Sequence, residues 1–140
     1  TEGAAILQHL ADNSPESGLA PAAGTLARTR MQEHLNFIAS ELHQAFGPLF
    51  SETADEAQKA AARVQVAKRL DLVEEALADG RNHLLGADFS VADAYLFVVG
   101  NWAHPTGIGL DRWPHVKAHA ERVATRPAVQ DALRAEGLIQ

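Results

Sequence analysis

The chain has 140 residues, 46% of them hydrophobic and 21% charged, with a formal net charge of −6. That length supports one domain with a real core, and the acidic balance, with no Lys/Arg cluster, excludes non-specific nucleic-acid binding. No cysteine is present, which rules out a disulfide framework, a thiolate zinc site and a cysteine nucleophile within this sequence.

Thr1 to Ala11 has helix-forming composition and an apolar edge at Ile6, Leu7 and Leu10 that needs a partner. Asn13 to Gly24 clusters Ser, Pro, Gly and Asn and reads as a loop and an interdomain linker. Thr25 to Phe46 is expected to be one long helix. Met31, Leu35, Ile38, Leu42 and Phe46 fall on a single stripe, and Gly47-Pro48 ends it. Thr53 to Ala78 is the next helix, capped by Thr53 or Asp55, with Val66, Leu70, Val73 and Leu77 inward and Gly80 at its close. The two form an antiparallel pair.

Ser90-Val-Ala-Asp93 is a capping box with Asp in the place more often held by Glu or Gln. The residues after it, to about Ala103, are apolar almost all round, so this helix is expected to be central and buried. Trp113-Pro114 opens a further helix with Val116, Ala120 and Val123 inward. Arg126-Pro127 ends or breaks it, and Val129 and Leu133 mark a short last helix stopped by Gly137. No alternating strand pattern, internal repeat or low-complexity tract appears. The fold class is all-α, a bundle of five to six helices. No apolar run approaches the ~20 residues of a membrane span, and no basic-then-apolar leader is visible. The expected location is cytoplasmic, with neither membrane nor nucleic acid as a partner.

The motif chemistry is sparse. His115 and His119 stand at i, i+4, a spacing that can hold zinc, but no glutamate lies between them and no third ligand suggests itself. They are expected to be two solvated surface histidines, and no metal site is read. No Walker loop, dinucleotide glycine pattern, nucleophile elbow or triad spacing occurs. Three features remain. Glu2-Gly3 opens a helix, where free N–H groups favour a carboxylate or phosphate, although an ordinary acidic residue at a helix start has the same appearance. Asn36 and His43 lie two turns apart on the long helix, as hydrogen-bonding groups or as an exposed polar face. Trp102, followed by His104, closes the buried helix, as a ligand contact or as core.

Phe89-Ser-Val-Ala-Asp-Ala-Tyr-Leu96 resembles the folding signature in the C-terminal domain of glutathione transferases. Thr1 to Asp12 is similar to the last helix of that family's thioredoxin-like domain. Leu35 to Phe50 is similar to the first helical segment of the bacterial beta-class branch, and Arg126 to Gly137 resembles its C-terminus. The resemblance implies a glutathione-transferase C-terminal-like helical bundle. Its domains would be 1–13, the last helix of a thioredoxin-like glutathione-binding domain whose remainder is absent; 14–24, a linker; and 25–140, the helical domain.

It further implies a homodimeric detoxifying transferase that joins the glutathione thiol to small electrophiles. Glutathione would be a co-substrate, and no metal would be needed. By resemblance, His43 is catalytic, lying near the sulfur. Glu2, Gly3 and Asn36 bind glutathione, Asn36 across the dimer interface. Trp102 and His104 line the electrophile site. Relatives often carry a serine where Gly3 stands and a lysine where Gln44 stands, which removes a hydroxyl and a cation. They also often use an N-terminal cysteine, outside this sequence. The 140 residues alone are expected to be inactive. The alternatives are a non-catalytic interaction module or fragment and, behind it, a ligand-storage or haem-like binding role.

Overall fold

The computed structural model describes residues 1–140, and every regular element in it is helical. Helix α1 spans Gly3–Asp12, followed by a 3-10 turn at Pro15–Ser17. Helix α2 (Leu26–Phe37), a π turn (Ile38–Leu42) and α3 (His43–Phe50) run on as one rod. Then come α4 (Glu56–Leu77), α5 (Val91–Asn101), α6 (Pro114–Ala124) and α7 (Pro127–Ala135). With α2 and α3 taken as one rod, six helices form the expected all-α bundle.

The apolar stripe of the long rod is the core. Met31, Leu35, Ile38, Leu42 and Phe46 are buried, and they meet Val66, Leu70, Val73 and Leu77 of α4. Each such side chain contributes roughly 1.5–3 kcal/mol on leaving water. Helix α4 starts where its chemistry directs. Asp55 Oδ1 accepts from the Gln58 N–H at 2.8 Å, and Gln58 Oε1 accepts from the Asp55 N–H at 2.8 Å. Of the two caps expected, Asp55 serves: it and Gln58 close the box, although Thr53 with Glu56 offers the same spacing just before it.

The long rod does not stop at Gly47-Pro48 but continues to Phe50. A proline inside a helix removes one N–H and crowds the preceding turn. Here Gly47 has no Cβ to clash with the ring. Gln44, whose carbonyl loses its donor, is exposed and open to water.

Helix α5 is central, as expected, with Val91, Ala92, Asp93, Leu96, Phe97, Val99 and Gly100 buried. It is not buried all round. Val98 is 52% exposed, on the edge shared with Tyr95 and Trp102. The helix start is held from several sides. Asp93 Oδ2 accepts from both the N–H and the hydroxyl of Ser90, each at 2.9 Å. The Val91 N–H donates to Leu19 O at 2.9 Å, so the 14–24 segment supplies an acceptor to an N-terminal donor with no partner inside the helix. Asp93 Oδ1 accepts from the Leu84 N–H at 2.8 Å and from His119 Nε2 at 2.9 Å. Burial alone pushes the Asp93 carboxyl up, but the hydrogen bonds from His119, Leu84 and Ser90 outweigh it and hold it below the usual carboxylate value.

This corrects the expectation for His119, which is not a solvated surface residue: it is buried on Asp93, while His115 is exposed on Glu74. The α6 face that carries His119 turns inward with Val116 and Val123. The i, i+4 pair is thus divided between two carboxylates.

Helix α1 lies against α5 and is tied to α2 by Arg28, which is buried. Arg28 Nη1 and Nη2 donate to the two carboxylate oxygens of Asp12 at 2.7 Å each, and Nη1 also donates to Pro21 O at 3.1 Å. Leu7 and Ala11 face inward, whereas Ile6 and Leu10 are 47% and 59% exposed.

Candidate functional site

His43 is the first residue after the π turn, and it is partly buried. Its Nδ1 lies 3.1 Å from the Tyr95 hydroxyl on α5. Trp102 packs edge-on to the His43 ring, with centroids 4.7 Å apart, and meets Phe46 and Phe50 in the same way at 5.9 and 5.4 Å. The start of α1 reaches the same place: a Cβ on Gly3 would stand 3.8 Å from the Tyr95 oxygen. The Tyr95 phenol is pushed up, first by burial and then by the negative charge of Glu2. It therefore stays an O–H donor at neutral pH.

The structure thus brings four of the six sequence-derived candidates, Glu2, Gly3, His43 and Trp102, around Tyr95. Asn36 and His104 are not in this cluster. Asn36 and His43 would share a face of a regular helix. The π turn between them inserts about one residue, about 100° of phase. His43 is carried toward α5, and Asn36 is left exposed, its carbonyl accepting from the Ser40 hydroxyl at 2.8 Å. His104 is exposed in the turn after α5.

Tyr95 was not among the candidates. Its signal was present in the sequence: a hydroxyl in an otherwise apolar helix, seven residues before Trp102 and so on the same face. The other feature sequence reasoning missed is the histidine pair around Asp93. His83 and His119 are 36 residues apart in sequence and meet only through folding. A surface groove of about 650 Å³ lies beside Gln44, Gly47, Pro48, Thr53 and Gln58 and does not include His43.

The cluster has the makings of a small-molecule site: aromatic walls from Phe50 and Trp102, with buried Phe46 behind them, one imidazole fixed by a phenol, and a helix N-terminus beside it. At that terminus the Ala5 and Ile6 N–H groups bond back to Glu2 O, at 3.0 and 2.9 Å. The Gly3 and Ala4 N–H groups precede the intrahelical ladder and remain as donors. No side chain caps them from the Glu2 position.

Residues 37–127 match the family described as glutathione S-transferase, C-terminal domain. The chain is 45% identical over 138 residues to glutathione S-transferase GstA of Escherichia coli O157:H7, covering 99% of this chain and 68% of that protein. Its backbone matches a sphingomonad glutathione S-transferase complexed with glutathione at a TM-score of 0.93 and 47% identity, over 99% of this chain and 69% of that one. A bacterial beta-class glutathione S-transferase from Sphingomonas chungbukensis matches at a TM-score of 0.94 and 43% identity, over 99% of this chain and 69% of that one. With its fold and these likenesses, the chain belongs to the glutathione S-transferase family, among the bacterial beta-class members, and carries the family's C-terminal helical domain.

Proposed function

We propose that the chain is the helical portion of a transferase that joins the glutathione thiol to small electrophiles, working as a cytoplasmic homodimer in detoxification. The observation that carries this reading is the meeting of Glu2, Gly3, His43 and Trp102 around the Tyr95 hydroxyl. In this reading α1 is the last helix of a thioredoxin-like domain, and residues 14–24 are the linker to residues 25–140. The Gly3 and Ala4 N–H groups suit the γ-glutamyl carboxylate, with the positive end of α1 behind them. Glu2 suits the glutamyl ammonium. Gly3 brings only its backbone, with no hydroxyl.

Tyr95 donating to Nδ1 places the His43 ring proton on Nε2, leaving Nε2–H as the free donor of the ring. A ring N–H donor beside the glutathione sulfur favours the thiolate over the thiol. Gln44 adds no positive charge, so this hydrogen bond is the main contribution to the sulfur from this part of the chain. The thiolate then attacks a carbon bearing a leaving group. The C–S bond forms, the bond to the leaving group breaks with its electron pair, and the sulfur proton goes to solvent. Trp102 and Phe50 would present aromatic surface to the electrophile, with Phe46 buried behind Trp102. Asn36 would reach glutathione from a second copy, across the dimer, and His104 would lie at the outer end of the electrophile site.

The test is turnover of chlorodinitrobenzene with glutathione by the intact protein, together with its intact mass and its retention on immobilised glutathione. Turnover and retention support the transferase reading. Their joint absence would overturn it in favour of a non-catalytic module.

A further inference from the structure

The loop before α5, the start of α5 and the inner face of α6 each send one metal-ligating side chain to a single buried point. These are His83, Asp93 and His119, and their nearest ligand atoms all lie within 4.8 Å of one another. Asp93 Oδ1 is 2.9 Å from His119 Nε2 and 3.8 Å from His83 Nδ1. None of the three contributes to the His43 site. His83 is only 8% exposed, yet its Nδ1 is buried with no hydrogen-bond partner. An unpaired buried nitrogen costs free energy that the fold elsewhere avoids.

We propose that His83, Asp93 and His119 form a binding site for one divalent transition-metal ion, zinc by preference, that ties the 79–90 loop and α6 to the start of α5. Two imidazole nitrogens and a carboxylate oxygen are a donor set such ions take. Bonds of about 2.0–2.2 Å at tetrahedral angles place ligand atoms about 3.3–3.6 Å apart. The two distances to Asp93, 2.9 and 3.8 Å, bracket that range, and the third pair, His83 to His119, lies within 4.8 Å, so the two imidazoles draw together on the ion. The ion lies between His119 and Asp93, and His119 passes its Nε2 proton to Nδ1.

The surroundings suit a structural ion. Phe89 packs edge-on to His83 at 5.6 Å, and Arg126 stacks over Phe89 at 3.8 Å, closing the outer side with a ring. The second cation near His83, Arg122, is held by Asn82 O at 2.8 Å. Their positive charge disfavours an ion held by charge alone. It therefore selects a strongly nitrogen-coordinating metal over magnesium or calcium, which prefer oxygen.

The experiment is titration of the chelator-treated protein with Zn²⁺ by calorimetry and with Co²⁺ by visible absorption. Wild type, H83Q, H119F and H115Q are compared, each checked for a cooperative melt. One equivalent of zinc, d–d bands of low-coordinate cobalt, and loss of both in H83Q support the site. H83Q is the decisive variant, because it removes a nitrogen that makes no hydrogen bond and exchanges the ring contact with Phe89 for an amide of similar reach. H119F is a second check where it folds. H115Q, at an exposed His115–Glu74 pair, should bind as wild type does. Absence of stoichiometric binding overturns the proposal, as does binding that survives in H83Q or is abolished only by H115Q.

Discussion

The His43 imidazole and the Tyr95 hydroxyl, 52 residues apart in sequence, meet at 3.1 Å between Nδ1 and the phenol oxygen. The contact holds the imidazole in one orientation, and a phenol that donates to Nδ1 leaves the ring proton on Nε2. Tyr95→Phe removes the donor and keeps the ring. The expected outcome is a fall in kcat of about tenfold, the kinetic equivalent of one hydrogen bond, with KM for glutathione little changed. Steady-state kinetics with chlorodinitrobenzene measures both. An unchanged kcat would remove Tyr95 from the mechanism.

Trp102 touches His43, Phe46 and Phe50 and is only partly buried. Trp102→Leu keeps an apolar residue but removes the flat surface. KM for an aromatic electrophile should rise several-fold, by about 1 kcal/mol of lost aromatic contact, and KM for glutathione should hold. Equal rises in both would place Trp102 in general support of the fold.

Asp93 is the hub of the α5 start, accepting from Ser90, Leu84 and His119 with no exposed surface. A local capping box is worth about 1 kcal/mol. Deleting this carboxylate also strands a buried backbone N–H and an imidazole, each costing about 1–3 kcal/mol. Asp93→Ala should therefore lower unfolding free energy by about 3–7 kcal/mol in urea denaturation. A loss near 1 kcal/mol would mean the long-range partners re-pair.

Helix α6 has no acid of its own in its first turn, and Glu74 of α4 supplies one. Its carboxylate accepts from the His115 N–H at 3.0 Å, the Val116 N–H at 3.0 Å and His115 Nδ1 at 2.6 Å. Burial pushes this carboxyl up, but these bonds prevail and hold it below its ordinary value. Its folded pKa is thus below its unfolded one. The stability it contributes is full above the unfolded value and is lost as pH falls through the folded one. Glu74→Gln should cost about 1 kcal/mol at neutral pH. It should also flatten the acid limb of the stability curve below about pH 4.5, the unfolded glutamate value. A parallel acid limb in the variant would refute this.

Arg28 joins α1 to α2 through both oxygens of Asp12. Ten-residue helices are marginal without tertiary support. Arg28→Met should leave the core of α4 and α5 protected while amide exchange across Gly3–Asp12 accelerates. Unchanged protection in α1 would show that Leu7 and Ala11 suffice to dock it.

Local chemistry determined most of the elements from the sequence alone. Apolar spacing placed Met31 to Phe46 and Val66 to Leu77 on inward stripes, and Asp55, Ser90 and Pro114 marked helix starts, because periodicity and capping act within a few residues. Resemblance of short segments named the family. What depends on distant pairs was not legible. Gly47-Pro48 read as a stop, yet the rod runs on to Phe50, because a solvated carbonyl tolerates the missing donor. The π turn at Ile38–Leu42 turned Asn36 away from His43. His119 read as a surface residue until Asp93, 26 positions earlier, proved to be its partner. The meeting of Glu2, Gly3, His43 and Trp102 at Tyr95, and of two histidines at Asp93, required the packing of α1, α3, α5 and α6. Side-chain periodicity tells which face turns inward, and only the assembled core decides what that face meets.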